Sequence, residues 1–102
     1  FAWGLGRPAT RNGVPLAPLP AGRASFDASI VIAMNERAGD HAVADHRAFA
    51  PAGMLALPSI AWRLALAAAG EADVAVSLTH GLDPYDVAAG AALVEAVGGR
   101  VM

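Results

Sequence analysis

Apolar and polar positions along the chain fall into short blocks, each with its own period. Between Phe1 and Leu19 the dipeptide Asn12-Gly13 separates two extended segments. Both of its residues tolerate positive φ, so a hairpin is expected there. Ala28 to Met34 is an apolar run centred on Ile30, Val31 and Ile32 and bounded by polar residues, the pattern of a strand buried on both faces. Asn35 to Gly53 is polar and contains Gly39, Pro51 and Gly53, which reads as a loop with at most one short helical piece. Ser59 to Ala69 follows Pro58, starts on a good N-cap residue and stops at Gly70, so a helix is expected. Ile60, Leu64 and Ala68 form one stripe of it, Trp62 and Leu66 lie on another face, and Arg63 is its only charge. Most of this helix should therefore be covered, with Trp62 as the expected core anchor. Val74, Val76 and Leu78 alternate with Ala75 and Ser77 as a strand, and a second helix is expected from Pro84 to Val97, with Val87, Ala91 and Val94 on one face and Gly98-Gly99 as its stop.

The alternation of strands and helices predicts a layered sheet-and-helix domain of the α/β class. A chain of 102 residues with 56% hydrophobic content and a mean hydropathy of +0.46 can bury one compact core over residues 1–102. The formal charge of -2 and a pI near 5.8 supply no basic field, which disfavours nucleic acid polymers and anionic membrane surfaces and leaves small molecules and protein chains as partners. The absence of cysteine excludes a disulfide framework and a thiolate metal site, in keeping with a cytoplasmic location. The longest apolar stretch, Leu64 to Gly70, is far below the roughly 20 residues needed to cross a bilayer, and no signal peptide is visible. The chain opens at Phe1 and stops at Val101-Met102, directly after a Gly-Gly turn. Both ends read as cuts, the second at the start of a further strand.

Two segments carry the chemistry. One is Ala67-Ala-Ala-Gly-Glu-Ala-Asp73 and the other runs from Asp83-Pro-Tyr-Asp-Val-Ala-Ala-Gly90 to Glu95-Ala-Val-Gly-Gly99. Read locally, Asp83 is an N-cap, Pro84 the first helical residue and Asp86 the third, an acidic first turn that stabilises a helix without any metal. The same stretch resembles the second signature of the inositol monophosphatase superfamily, Trp-Asp-x-Ala-Ala-Gly followed by Glu-Ala-Gly-Gly, with Tyr85 in place of the Trp. Members also carry an Ala-Gly-x-Ala-Asp segment, here Ala69 to Asp73, and a weaker echo covers Gly6 to Gly13. The resemblance implies the carboxyl-terminal part of a multilayer αβαβα sugar-phosphatase fold. It also implies a Mg2+-dependent phosphomonoesterase acting on a small phosphorylated metabolite: an inositol phosphate, a sugar phosphate or a nucleotide bisphosphate. A homodimer is implied as well.

By that resemblance Asp86 is a magnesium ligand at the mouth of a helix that faces the substrate phosphate, and Ser59, Ala61 and Ser77 are substrate-binding positions. A carboxylate is the hard oxygen donor magnesium prefers, and clustered carboxylates can hold ions that activate water and neutralise phosphoryl oxygens. A helix amino terminus adds affinity for anions. The sequence also departs from the family pattern. The Glu-Glu pair and the Asp-Pro-x-Asp-Gly-Thr segment that supply the other ligands do not occur in it, so this polypeptide alone is expected not to hydrolyse phosphate esters. Bulky Ile60 stands where a small residue usually lines the pocket, Ser77 where inositol-hydrolysing members often have Glu, and the loop Thr79 to Asp83 is longer than the pattern.

The remaining constellations are weaker. Asp40, His41, Asp45 and His46 have metal-ligand residue types but sit in a polar loop, where solvated side chains are the plainer reading. His80 could reach an anionic substrate or simply lie in a surface turn. Ser25, Ser29, Ser59 and Ser77 have no nucleophile context. Trp3, Trp62 and Tyr85 are too scattered for a base-stacking platform. Gly4-Leu5-Gly6 runs into Arg7-Pro8 rather than a helix, which denies it a dinucleotide-binding role. The rival to the enzyme reading is a noncatalytic assembly module of the same fold, and a sheet whose neighbours lie outside the chain would favour self-association.

Overall fold

The computed structural model describes residues 1–20, 26–35, 47–77 and 82–102. Strands β1 (Thr10–Arg11) and β2 (Val14–Pro15) form the expected hairpin, pairing Thr10 with Pro15 and Arg11 with Val14. Asn12 at φ 52 and Gly13 at φ 80 supply the two left-handed residues that its tight turn requires. A three-stranded parallel sheet follows in the order β4-β3-β5, made of β3 (Val31–Met34), β4 (Gly53–Ala56) and β5 (Val74–Ala75). Helix α1 (Ile60–Ala68) connects β4 to β5, and α2 (Pro84–Ala96) comes after β5. The class is α/β, as the alternation predicted.

The β3 strand is buried on both faces, with Ile32, Ala33 and Met34 all inaccessible. Ala33 packs with Leu66 and Ala72 beneath α1, with Val31 and Leu57 beside them. On its other side α1 presents Leu64, Ala65, Ala67 and Ala68 to Leu93, Val94 and Val97 of α2 and to Ala9 of the hairpin. The hairpin is held on by the Leu19 N–H donating to the Val97 carbonyl at 2.8 Å and by an exposed ion pair between Arg11 and Glu71. Gly70, at φ 76, ends α1 in the left-handed conformation read from the sequence. Three residues on, the Asp73 carboxylate accepts the Val31 N–H at 2.8 Å, while the Asp73 N–H donates to the Val31 carbonyl at 2.8 Å. The Ala69–Asp73 segment thus registers β5 against β3.

Four expectations need correction. The loop expected to run through Gly53 stops short of it, and Gly53–Ala56, to which the sequence assigned no element, is a strand; it is short and mostly exposed, and exists because β3 offers it a parallel edge. Trp62 is 61% exposed rather than a core anchor, because the packed stripe of α1 runs through Ile60, Leu64 and Ala68 and leaves it to one side. The buried face of α2 is Gly90, Leu93 and Val94, continued by Val97 at its cap, and it widens the expected face, whose Val87 packs on the same core and whose Ala91 is half-buried. It keeps helical spacing, but its first member is a glycine that a count of apolar side chains passes over. Val101 and Met102 are exposed and start no strand, since no described strand lies beside them. Residues 47–49 form the helical piece allowed within Asn35–Gly53. The Asp40/His41/Asp45/His46 group, Ser25, His80, Leu78 and most of the Thr79–Asp83 loop lie outside the described residues. Among the described residues no helix is long and apolar enough to cross a membrane.

Helices α1 and α2 touch at Gly90, where an added Cβ would stand 2.6 Å from Leu64 Cβ and 2.7 Å from Leu64 Cδ1. Alanine is the better helix former by about 1 kcal/mol, but overpacking of this kind costs about 1–3 kcal/mol. Gly90→Ala is therefore expected to lower Tm in thermal unfolding. Leu64→Ala should cost less in that background than in the wild type. A Tm that is unchanged or raised would mean that the helices separate freely at this contact.

Candidate functional site

Because β3, β4 and β5 are parallel, their carboxyl ends share one edge, and Asn35, Leu57 and the Val76-Ser77 pair follow directly from it. Helix α1 starts from this edge after Pro58 and Ser59, and α2 starts after the chain has left β5 through Ser77. Open α/β sheets bind ligands outside the carboxyl ends of their strands. Helix amino termini placed there add unpaired N–H groups and the positive end of the macrodipole.

Ser59 is the N-cap of α1, its Oγ accepting the Trp62 N–H at 3.3 Å. Its hydroxyl is therefore engaged in starting the helix that carries Ala61, an exposed first-turn residue. Ser77 is half-buried, and its Oγ is inaccessible and has no hydrogen-bond partner. Asp86 is exposed in the first turn of α2. It forms a capping box with Asp83, in which the Asp83 N–H donates to Asp86 Oδ2 across a long 3.4 Å. The local reading of Asp86 as a capping residue is thus met by the structure. That contact uses only Oδ2.

The other carboxylate of this turn, Asp83, accepts the Tyr85 hydroxyl proton at 3.0 Å. Tyr85 itself is 77% exposed. Its phenol is held above the usual tyrosine range, first by that hydrogen bond to Asp83 and then by the negative charge of Asp86. The turn therefore presents two exposed hard-oxygen donors and a phenol that senses both. Among the described residues no three His, Cys, Asp or Glu side chains gather as a metal cluster.

Arg63 was not singled out for function in the sequence. It is 1% exposed, its Nη1 donates to the Leu57 carbonyl at 2.8 Å, and its Nε is inaccessible and unpaired. Burial pulls its pKa down from the ordinary arginine value, yet a guanidinium remains cationic at neutral pH. The available signal was its position as the lone charge in an otherwise apolar helix that had to be covered. An open pocket lined by Trp3, Leu5, Arg7 and Thr10 lies along the amino-terminal hairpin and includes none of these residues.

Comparison with known proteins gives one result. No curated protein and no solved structure matches the chain significantly. The sequence model of the inositol monophosphatase family matches residues 4–102, and members of that family are generally Mg2+-dependent phosphatases. With nearly its whole length matched, this chain belongs to the inositol monophosphatase family.

Proposed function

We propose that this chain is the part of a magnesium-dependent phosphomonoesterase that faces the substrate phosphate, with Asp86 as a metal ligand and a small phosphorylated metabolite as substrate. The metabolite is an inositol phosphate, a sugar phosphate or a nucleotide bisphosphate. One observation carries this reading: an exposed Asp86 carboxylate in the first turn of the helix that follows the last strand of a parallel sheet. A phosphate approaching that turn alone would meet the charges of Asp83 and Asp86 and be repelled. A divalent cation reverses that sign. Magnesium is commonly held by one or two carboxylates together with waters and substrate phosphate, so Asp86, with Asp83 beside it, fits one corner of such a site rather than a complete protein cage.

When bound there, magnesium would supply Lewis-acid charge to the phosphoryl oxygens. The chain's own residues do the rest that can be assigned. Asp86 holds the cation at the helix mouth, the α2 macrodipole favours the phosphate in front of it, and Ser59 fixes the start of α1, on which Ala61 faces the site. Ser77 stands at the end of β5 in place of a carboxylate, with a hydroxyl that is inaccessible in the free chain and can both donate and accept.

A second reading, a noncatalytic assembly module, draws on the exposure of Leu55, Trp62 and Val74, apolar surface of the kind that joins subunits. It also underlies the proposal of a homodimer. Light scattering of the purified chain is expected to give a dimer that Trp62→Glu weakens; a monomer insensitive to that change would remove this support.

Mn2+, a paramagnetic stand-in for Mg2+, is expected to broaden the Tyr85 ring resonances of the wild type. Tyr85 is the sole tyrosine of the chain, which makes the signal unambiguous. Asp86→Asn should abolish the effect. No turnover of phosphate esters is expected from this polypeptide alone, since the Glu-Glu and Asp-Pro-x-Asp-Gly-Thr ligands are not in it. Tyrosine signals indifferent to Mn2+ would sink the metal-ligand assignment.

Asp83→Asn should lower the Tyr85 pKa toward its ordinary value in an alkaline absorbance titration, because the neutral amide no longer favours the protonated phenol as the carboxylate does. The linkage has a definite sign. With its folded-state pKa raised, Tyr85 contributes stability that is fully present below the unfolded tyrosine pKa and is lost as pH rises through the folded one. That alkaline loss should shrink in Asp83→Asn.

A further inference from the structure

Arg63 is a buried cation most of whose donors are unused. A guanidinium presents a planar fork of N–H groups, and here the hydrogen bond from Nη1 to the Leu57 carbonyl, at 2.8 Å, stands beside an inaccessible Nε with no partner. No carboxylate among the described residues pairs with it. Leu57 directly follows β4, so that bond locates the guanidinium at the carboxyl edge of the sheet. Ser77 lies just past β5, on the other side of β3 in the order β4-β3-β5, and its Oγ is likewise inaccessible and unpartnered. Two orphaned polar groups therefore occupy the ligand-binding edge of one parallel sheet, one of them a full positive charge. Taking a cation out of water without a counter-charge is strongly unfavourable, and an oxyanion matches the guanidinium fork in both charge and shape.

We propose that Arg63, with Ser77 as a second donor, holds an oxyanion at the carboxyl edge of the β4-β3-β5 sheet, namely a second acidic group of the phosphorylated metabolite. This group is distinct from the phosphoryl group in front of Asp86. The inference deepens the phosphatase reading by giving the substrate class: a phosphoester that carries a further phosphate or carboxylate. It depends on that reading only for which metabolite brings the oxyanion.

The test titrates the full chain with inorganic phosphate at fixed ionic strength, without divalent cation, by calorimetry and thermal unfolding. Wild type is expected to bind phosphate and to gain Tm with it. Arg63→Met removes a buried charge that has no carboxylate partner among the described residues, together with the donor to the Leu57 carbonyl, so its Tm without phosphate should stay close to that of wild type. Its phosphate affinity should fall by about tenfold or more. Arg63→Lys keeps the charge without the fork and should bind between the two. If Arg63→Met does not fold, Arg63→Lys and Ser77→Ala report the same weakening. With Mn2+ present, a bisphosphorylated sugar should bind wild type more tightly than the monophosphate, and Arg63→Met should erase that preference. The phosphate response is read without cation and the metal assignment from the Mn2+ broadening of the Tyr85 signals, so failure of this site and failure of the metal assignment are told apart. Absence of phosphate binding by wild type would overturn the proposal. So would an Arg63→Met protein with a lower basal Tm and an unchanged phosphate response, since Arg63 would then be only a strut for the Leu57 carbonyl.

Discussion

The seat of Leu64 on Gly90 fixes how the two helices lie. With no side chain at residue 90, the α2 backbone comes close enough for Leu64 to contact the space a Cβ would fill. The core of Ala65, Ala68, Leu93, Val94 and Val97 then closes around that contact. Burying a leucine side chain is worth about 1.5–3 kcal/mol, but the contact matters more for its position. It falls within the first two turns of both helices. The turns that carry Ser59 and Ala61 on one helix, and Asp83 and Asp86 on the other, are therefore set by core packing rather than by their own polar contacts.

What the sequence made legible was local. Asn12-Gly13, the Ser59 cap, Gly70 and the Asp83-Pro84 start each act through backbone conformation or a hydrogen bond spanning a few residues, and each stands where the sequence placed it. What it hid was decided by partners distant in the chain. Nothing in Gly53-Met54-Leu55-Ala56 declares a strand until β3 supplies the parallel edge. Trp62 and Arg63 are adjacent, and hydrophobicity assigns the tryptophan to the core and the arginine to solvent. The structure does the reverse, because cover over α1 is set by what lies across from each position.

The candidate site divides in the same way. The acidic first turn of α2 was readable because capping and metal ligation ask for the same residue type at the same position. Sequence could not choose between them, and the structure shows the capping contact, which leaves Oδ1 outside it. The bond from the Asp83 N–H to Asp86 Oδ2 is long at 3.4 Å, so drawing that oxygen toward a cation would sacrifice at most about 1 kcal/mol of cap. The charge of the turn would still complement the helix dipole.

Electrostatics ties the two ends of the site together. A buried cation, Arg63, stands at the carboxyl edge of the sheet, and the helix that follows β5 opens with two exposed carboxylates, Asp83 and Asp86. The carboxylates are wet, so salt and water screen them; the guanidinium is dry, and its field is screened far less. On the proposed reading, an anion would be drawn toward Arg63 with little dependence on salt, whereas at the α2 mouth the acidic turn would repel it unless a divalent cation stood there. A ligand with one acidic group satisfies one of these demands and leaves the other standing. A ligand with two would meet both, one group at Arg63 and the other beside a cation that Asp86 would hold.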